Sequence, residues 1–124
     1  MAAILHDRVF DNGLTVLDTE ADKLYITSSQ ATTYTEAITT YALGVKNTPT
    51  VSAPADRTGG GREVTVSAIT DGSVTGTGTA GFYALVDSSN SRMLASNALN
   101  TTQSVTSGNT FTLTSFKIGI PDPA

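Results

Sequence analysis

From residue 62 onward, apolar and polar positions alternate along the chain. The stretch "REVTVSA" (62–68) puts Val64, Val66 and Ala68 on one face, the two-residue period of a half-buried strand. Near the C-terminal end, "TFTLTSFKIGIP" places Phe111 and Leu113 on one face. It then slips by one position at Thr114-Ser115 before resuming with Phe116, Ile118 and Ile120. A slip of that kind marks a β-bulge or a strand crossing between sheets. "KLYITS" (23–28) is a strand with Leu24 and Ile26 on one side, and "YALGVK" and "RMLASNAL" are further strand candidates. Asp71-Gly72 is a hairpin signal, Ser107-Gly108-Asn109 a second turn, and 88–91 a polar loop. Turn signals about every 8–12 residues predict an antiparallel β-sandwich or barrel.

The N-terminal part follows another rhythm. Leu5, Val9, Phe10, Leu14, Val16 and Leu17 fall mostly at helical spacing, and Asp7 can cap the start. A helix over 7–19 is expected, although Asn12-Gly13 interrupts it and also allows a turn between two short strands. In "SQATTYTEAITTYALG" (29–44), Tyr34, Ala37, Ile38 and Tyr41 have helical spacing. The β-branched residues between them argue for an irregular segment that packs its two tyrosines. A strand over 50–53 and a flexible loop around Gly59-Gly60-Gly61 complete the reading. The chain is expected to be one β-rich domain: 1–22 a helical anchoring segment, 23–124 a β-sandwich.

"GTGTAG" (76–81) has the G-x-G-x-x-G spacing of a dinucleotide-binding turn. That chemistry needs a helix immediately afterwards and an acidic residue about 20 positions on. "FYALVD" follows instead, and Asn97 and Asn100 stand where the carboxylate should be. One long strand over 74–86 accounts for the glycines as a shallow patch that a bulky neighbour can approach. Val74, Gly76, Gly78, Ala80, Phe82, Ala84 and Val86 would then share a face.

Charged residues are 15% of the 124, and the net charge is −4. The seven basic side chains, Arg8, Lys23, Lys46, Arg57, Arg62, Arg92 and Lys117, are scattered. A nucleic-acid partner would call for a basic footprint, so none is expected. There is no cysteine, and His6 is the single histidine, which removes the common zinc sets and any Cys-His machine. Asp18, Glu20 and Asp22 cluster without EF-hand spacing. Glu36, Glu63, Asp71 and Asp87 offer no reason to pair as glycosidase carboxylates; Asp71 and Asp87 read as turn residues. No apolar run approaches the roughly 18 residues of a membrane span. The opening "MAAILHDRVFDNG" lacks the pattern of a signal peptide. No catalytic residue, cofactor, metal or membrane partner is expected.

"GREVTVSAITDGSVTGTGTAGFYALVDSSNSRMLASNAL", followed by "VTSGNTFTLTSFKIGIPD", resembles small structural proteins encoded among the virion genes of tailed bacteriophages and prophages. The earlier "LYITSSQATTYTEAITTYALG" fits the same group. The resemblance is one of general pattern over most of the chain. It implies a virion component made in the bacterial cytoplasm, and it transfers no active-site residues. A capsid decoration (cement) protein is the first expectation, binding the major capsid protein or other virion proteins as a homo-oligomer, a trimer by preference. The alternatives are a tail, neck or baseplate protein, or a receptor- or carbohydrate-binding module using Tyr25, Tyr34, Tyr41 or Tyr83. Ile4, Leu5, Val9 and Phe10 are the expected interface, because apolar side chains near a chain end can dock on a neighbour.

Overall fold

The structure is a computed structural model that describes residues 4, 5, 13–58 and 61–120. Its described residues form two antiparallel sheets. The larger contains β1 (Ile4–Leu5), β2 (Lys23–Thr27), β3 (Ala42–Asn47), β6 (Ile69–Val74), β7 (Gly78–Asp87), β8 (Arg92–Val105) and β9 (Thr110–Leu113). Their spatial order is β1-β8-β7-β2-β3-β6-β9. The smaller contains β4 (Ala55–Asp56), β5 (Arg62–Val66) and β10 (Phe116–Ile120), in the order β10-β5-β4. The larger sheet curls into a half-barrel: the Gln103 amide on β8 donates to the Thr112 carbonyl on β9, 2.6 Å away. β8 and β9 lie towards opposite ends of the strand order, so only a curled sheet brings them together. The fold is mainly β with a short helix near the N-terminus, as the alternation and turn spacing predict.

Alternation explains which faces meet. Val64, Val66 and Ile118 of the small sheet are buried against Leu24, Ile26, Leu85, Leu94, Phe111 and Leu113 of the large one. Each such side chain, fully buried, contributes about 1.5–3 kcal/mol. The phase slip at Thr114-Ser115 is a crossing: β9 belongs to the large sheet and β10 to the small one.

A second, smaller core lies on the other side of the large sheet. Ala84, Val86 and Met93 are buried there with Ala31 and Ala37, and Tyr25, Tyr34, Ile38 and Tyr41 pack around them. The segment after β2 therefore covers the sheet and packs its tyrosines, as its pattern suggests. It contains a single π-helical turn, Glu36–Thr40, closed by the Tyr41 N–H donating to the Glu36 carbonyl at 2.9 Å. Covered on both faces, β7 reads as the nearly unbroken apolar run "FYALV".

Three expectations are corrected. The helix α1 spans only Thr15–Glu20. Gly13 has φ +71°, a left-handed conformation that cannot belong to a helix; residues 7–12 lie outside the described ones. A six-residue helix is marginal by itself, and this one is held by Val16 and Leu17 in the main core. Asp71-Gly72 is not a hairpin but the middle of β6. There Gly72 pairs with Phe111 across the sheet, and Asp71 meets Lys46 at 2.9 Å. Around 50–53 the pairing is a single bridge from Val51 to Val66. β4 and β5 pair Ala55 with Glu63 and Asp56 with Arg62, and the Arg62 guanidinium stands 2.7 Å from Asp56; Gly59 and Gly60 lie outside the described residues.

Candidate interaction surface

Of the residues expected at an interface, Ile4 and Leu5 form β1, paired in register with Ser96 and Ala95 on the edge of β8. Val9 and Phe10 lie outside the described residues, as does His6. β1 covers only part of β8; further along, β8 pairs with β7 on one side through Gln103, Ser104 and Val105.

The three glycines of "GTGTAG" have separate local roles. Residues 75–77 break the expected long strand between β6 and β7. The N–H groups of Thr75 and Gly76 donate to the Leu43 carbonyl at 2.8 and 3.1 Å. A phosphate-binding turn would need such amides free for its ligand, and the stretch leads into a strand rather than a helix. A Cβ on Gly76 or Gly78 would stand 3.5 or 3.3 Å from a terminal methyl of Leu43, so the bulky neighbour is Leu43. Gly81 alone faces 99–102, because Ala80 pairs with Gln103 and Phe82 with Ala98. This four-against-one bulge shifts the phase of β7. Ala80 consequently shares the main core with Tyr83 and Leu85, not with Ala84 and Val86 as simple parity predicts.

The candidate carboxylates sit on different elements, each with its own partner. Glu36 accepts from the Thr32 N–H at 2.8 Å and its hydroxyl at 2.9 Å, and these bonds lower its pKa. Glu63 meets Lys117 at 3.1 Å. The Lys46 ammonium bonds Asp71 and holds its carboxyl below the usual range. Asp87 is buried and organises its turn, accepting from the Ser89 N–H at 3.1 Å and the Asn90 amide at 2.7 Å. Asp22 receives the Ser88 N–H at 2.9 Å, and Glu20 faces Arg92 at 3.7 Å, so the N-terminal acidic cluster is divided among partners. No group of three metal-ligating side chains occurs among the described residues. No helix among them is long and apolar enough to cross a membrane.

The bulge opens a cleft of about 290 Å³ between β8 and the β9–β10 crossing. Residues 97–101 and 103 line one side and 112–114, 116 and 117 the other. Within it Tyr83 and Phe116 pack with ring centroids 4.4 Å apart. Burial pushes the Tyr83 hydroxyl up to about 12. Nothing in the alternation marks Asn97, Gln103 and Phe116 as cleft residues. The signal available was the polar run "NTTQ", which interrupts the alternation of β8 where the bulge falls.

No protein-family model, curated protein or solved structure matches the chain.

Proposed function

We propose that the protein is a structural component of a bacteriophage virion and, within it, a decoration protein seated on the capsid as a homo-oligomer, a trimer by preference. The observation that carries this reading is the pairing of β1. A two-residue strand close to the first residue of the chain lies on the edge of β8. An edge strand offers unpaired backbone groups to whatever extended segment comes near, and a second chain can serve as well as the first.

Two further features support it. Several ionisable side chains are already engaged: Glu63, Asp71 and Asp87 in ion pairs or turn hydrogen bonds, Lys46, Arg62, Arg92 and Lys117 in ion pairs. The low charge content also lets large areas be covered by protein without burying many unpaired ions. Tyr25, Tyr34 and Tyr41 pack around the second, smaller core, which favours a packing role over an aromatic platform for a receptor.

The test deletes residues 1–10, then measures mass in solution and binding to capsids that lack the protein. Loss of both oligomer and binding is expected. A truncated chain that assembles and binds like the full one contradicts the N-terminal anchor. Copurification with tails and not with heads replaces the capsid reading by the tail reading.

A further inference from the structure

We propose that the cleft between β8 and the β9–β10 crossing is a binding site for a neutral carbohydrate of one or two sugar units. The inference goes beyond the virion reading and does not rest on it.

Size is the first constraint. A water molecule occupies about 30 Å³ of liquid, so a cleft of about 290 Å³ holds some ten waters or one small ligand. It lies at the lower end of the usual range for ligand sites, too small for a folded partner.

Charge is the second. The ionisable groups lining the cleft are Tyr83 and Lys117. Tyr83, like any tyrosine, is neutral at pH 7, and burial raises its pKa further. The Lys117 ammonium stands 3.1 Å from the Glu63 carboxylate, which balances it. An anionic ligand would have to compete with Glu63, and a cationic one would meet no free carboxylate in the lining.

Polar chemistry is the third. Asn97 and Gln103 each have one end of the carboxamide anchored. The Asn97 oxygen accepts from the Ala98 N–H at 2.8 Å, and the Gln103 nitrogen donates to the Thr112 carbonyl at 2.6 Å. That leaves a donor on Asn97 and an acceptor on Gln103 with their side chains already oriented. Asn100 and the Thr101 hydroxyl add groups that both donate and accept. Vicinal sugar hydroxyls need such a mixture, since each is donor and acceptor at once. Phe116, half-buried against Tyr83, supplies an aromatic ring for the apolar C–H face of a pyranose.

The bulge provides the local reason for the site. Four residues opposite Gly81 cannot continue the ladder, and they aim Leu99, Asn100 and Thr101 out of strand register. Bulges next to binding sites commonly have this re-aiming effect.

The experiment is an amide chemical-shift titration of the full, isotopically labelled chain. The neutral probes are glucose, galactose, mannose, N-acetylglucosamine, cellobiose, lactose and chitobiose. Glucuronic acid, N-acetylneuraminic acid and a Thr/Gly peptide serve as competitors in chemistry. Saturable shifts confined to 97–103 and 112–117 are expected with at least one neutral sugar. Gln103→Ala should weaken that sugar about tenfold, the value of one good hydrogen bond. Asn100→Ala, at an exposed position, should weaken it comparably with an unchanged melting temperature. The proposal is overturned if no neutral sugar saturates, if both variants bind as the native chain does, or if an acidic sugar or the peptide binds more tightly.

Discussion

The ring of Phe111 on β9 lies across Gly72 on β6, where the Cβ of any other residue would have to stand. The same ring approaches Gly44 on β3, whose Cβ would be 3.1 Å from it. Two glycines on adjacent strands thus make room for one of the largest fully buried side chains. Aromatic cover of a sheet glycine compensates for its missing side chain.

Gly72→Ala should therefore destabilise the fold by about 1–3 kcal/mol, the usual cost of overpacking. Urea unfolding measures it. The cost should shrink in a Phe111→Leu background, because the clash is with the ring. An equal cost in both backgrounds would place the effect in the backbone instead.

At Gly78 the neighbour is softer. A Cβ there meets the two terminal methyls of Leu43 at 3.3 and 3.5 Å, and these can move. Gly78→Ala is expected to cost under about 1 kcal/mol, and Gly78→Val about 1–3 kcal/mol. Calorimetric titration of the native protein with ATP or NAD should give no saturable heat. Saturable binding abolished by Gly78→Val would restore the nucleotide reading of "GTGTAG".

These glycines also show what the sequence could disclose. Leu24 and Ile26 announced the core face of β2, and Thr114-Ser115 announced the sheet crossing, because both are local consequences of a two-residue period. Gly108, with φ +92°, closes the turn that "SGN" suggested. Asp71-Gly72 has the same local signature as a hairpin, yet the demand of Phe111, some forty residues away, decided its conformation. Likewise the β8 bulge depends on its register against β7, and register is a relation between strands. The cleft was illegible for that reason.

Burial of Tyr83 makes stability fall in alkali. Its pKa is raised from 10.0 to about 12 because the phenolate would be desolvated. The unfolded chain thus loses this proton first, and the folded state binds more protons between those values. The contribution, about 2–3 kcal/mol, is complete below pH 10 and lost as pH rises towards 12. Unfolding midpoints measured across this window should fall more steeply for the native chain than for Tyr83→Phe. Equal slopes would contradict the assignment.

Asp87 holds the β7–β8 turn through the Ser89 N–H and the Asn90 amide, beside Arg92. Asp87→Ala leaves these donors without their acceptor and should cost about 1–3 kcal/mol. Hydrogen exchange at Ser89 is the local readout and should accelerate. Unchanged exchange would show that the turn does not depend on this carboxylate.

We propose that this protein decorates a capsid. The most direct test counts its copies per purified particle, by quantitative mass spectrometry against the major capsid protein, with heads and tails separated. Hundreds of copies, all with heads, are expected. A handful or a few dozen copies, found with tails, or none in the particle at all, would contradict it.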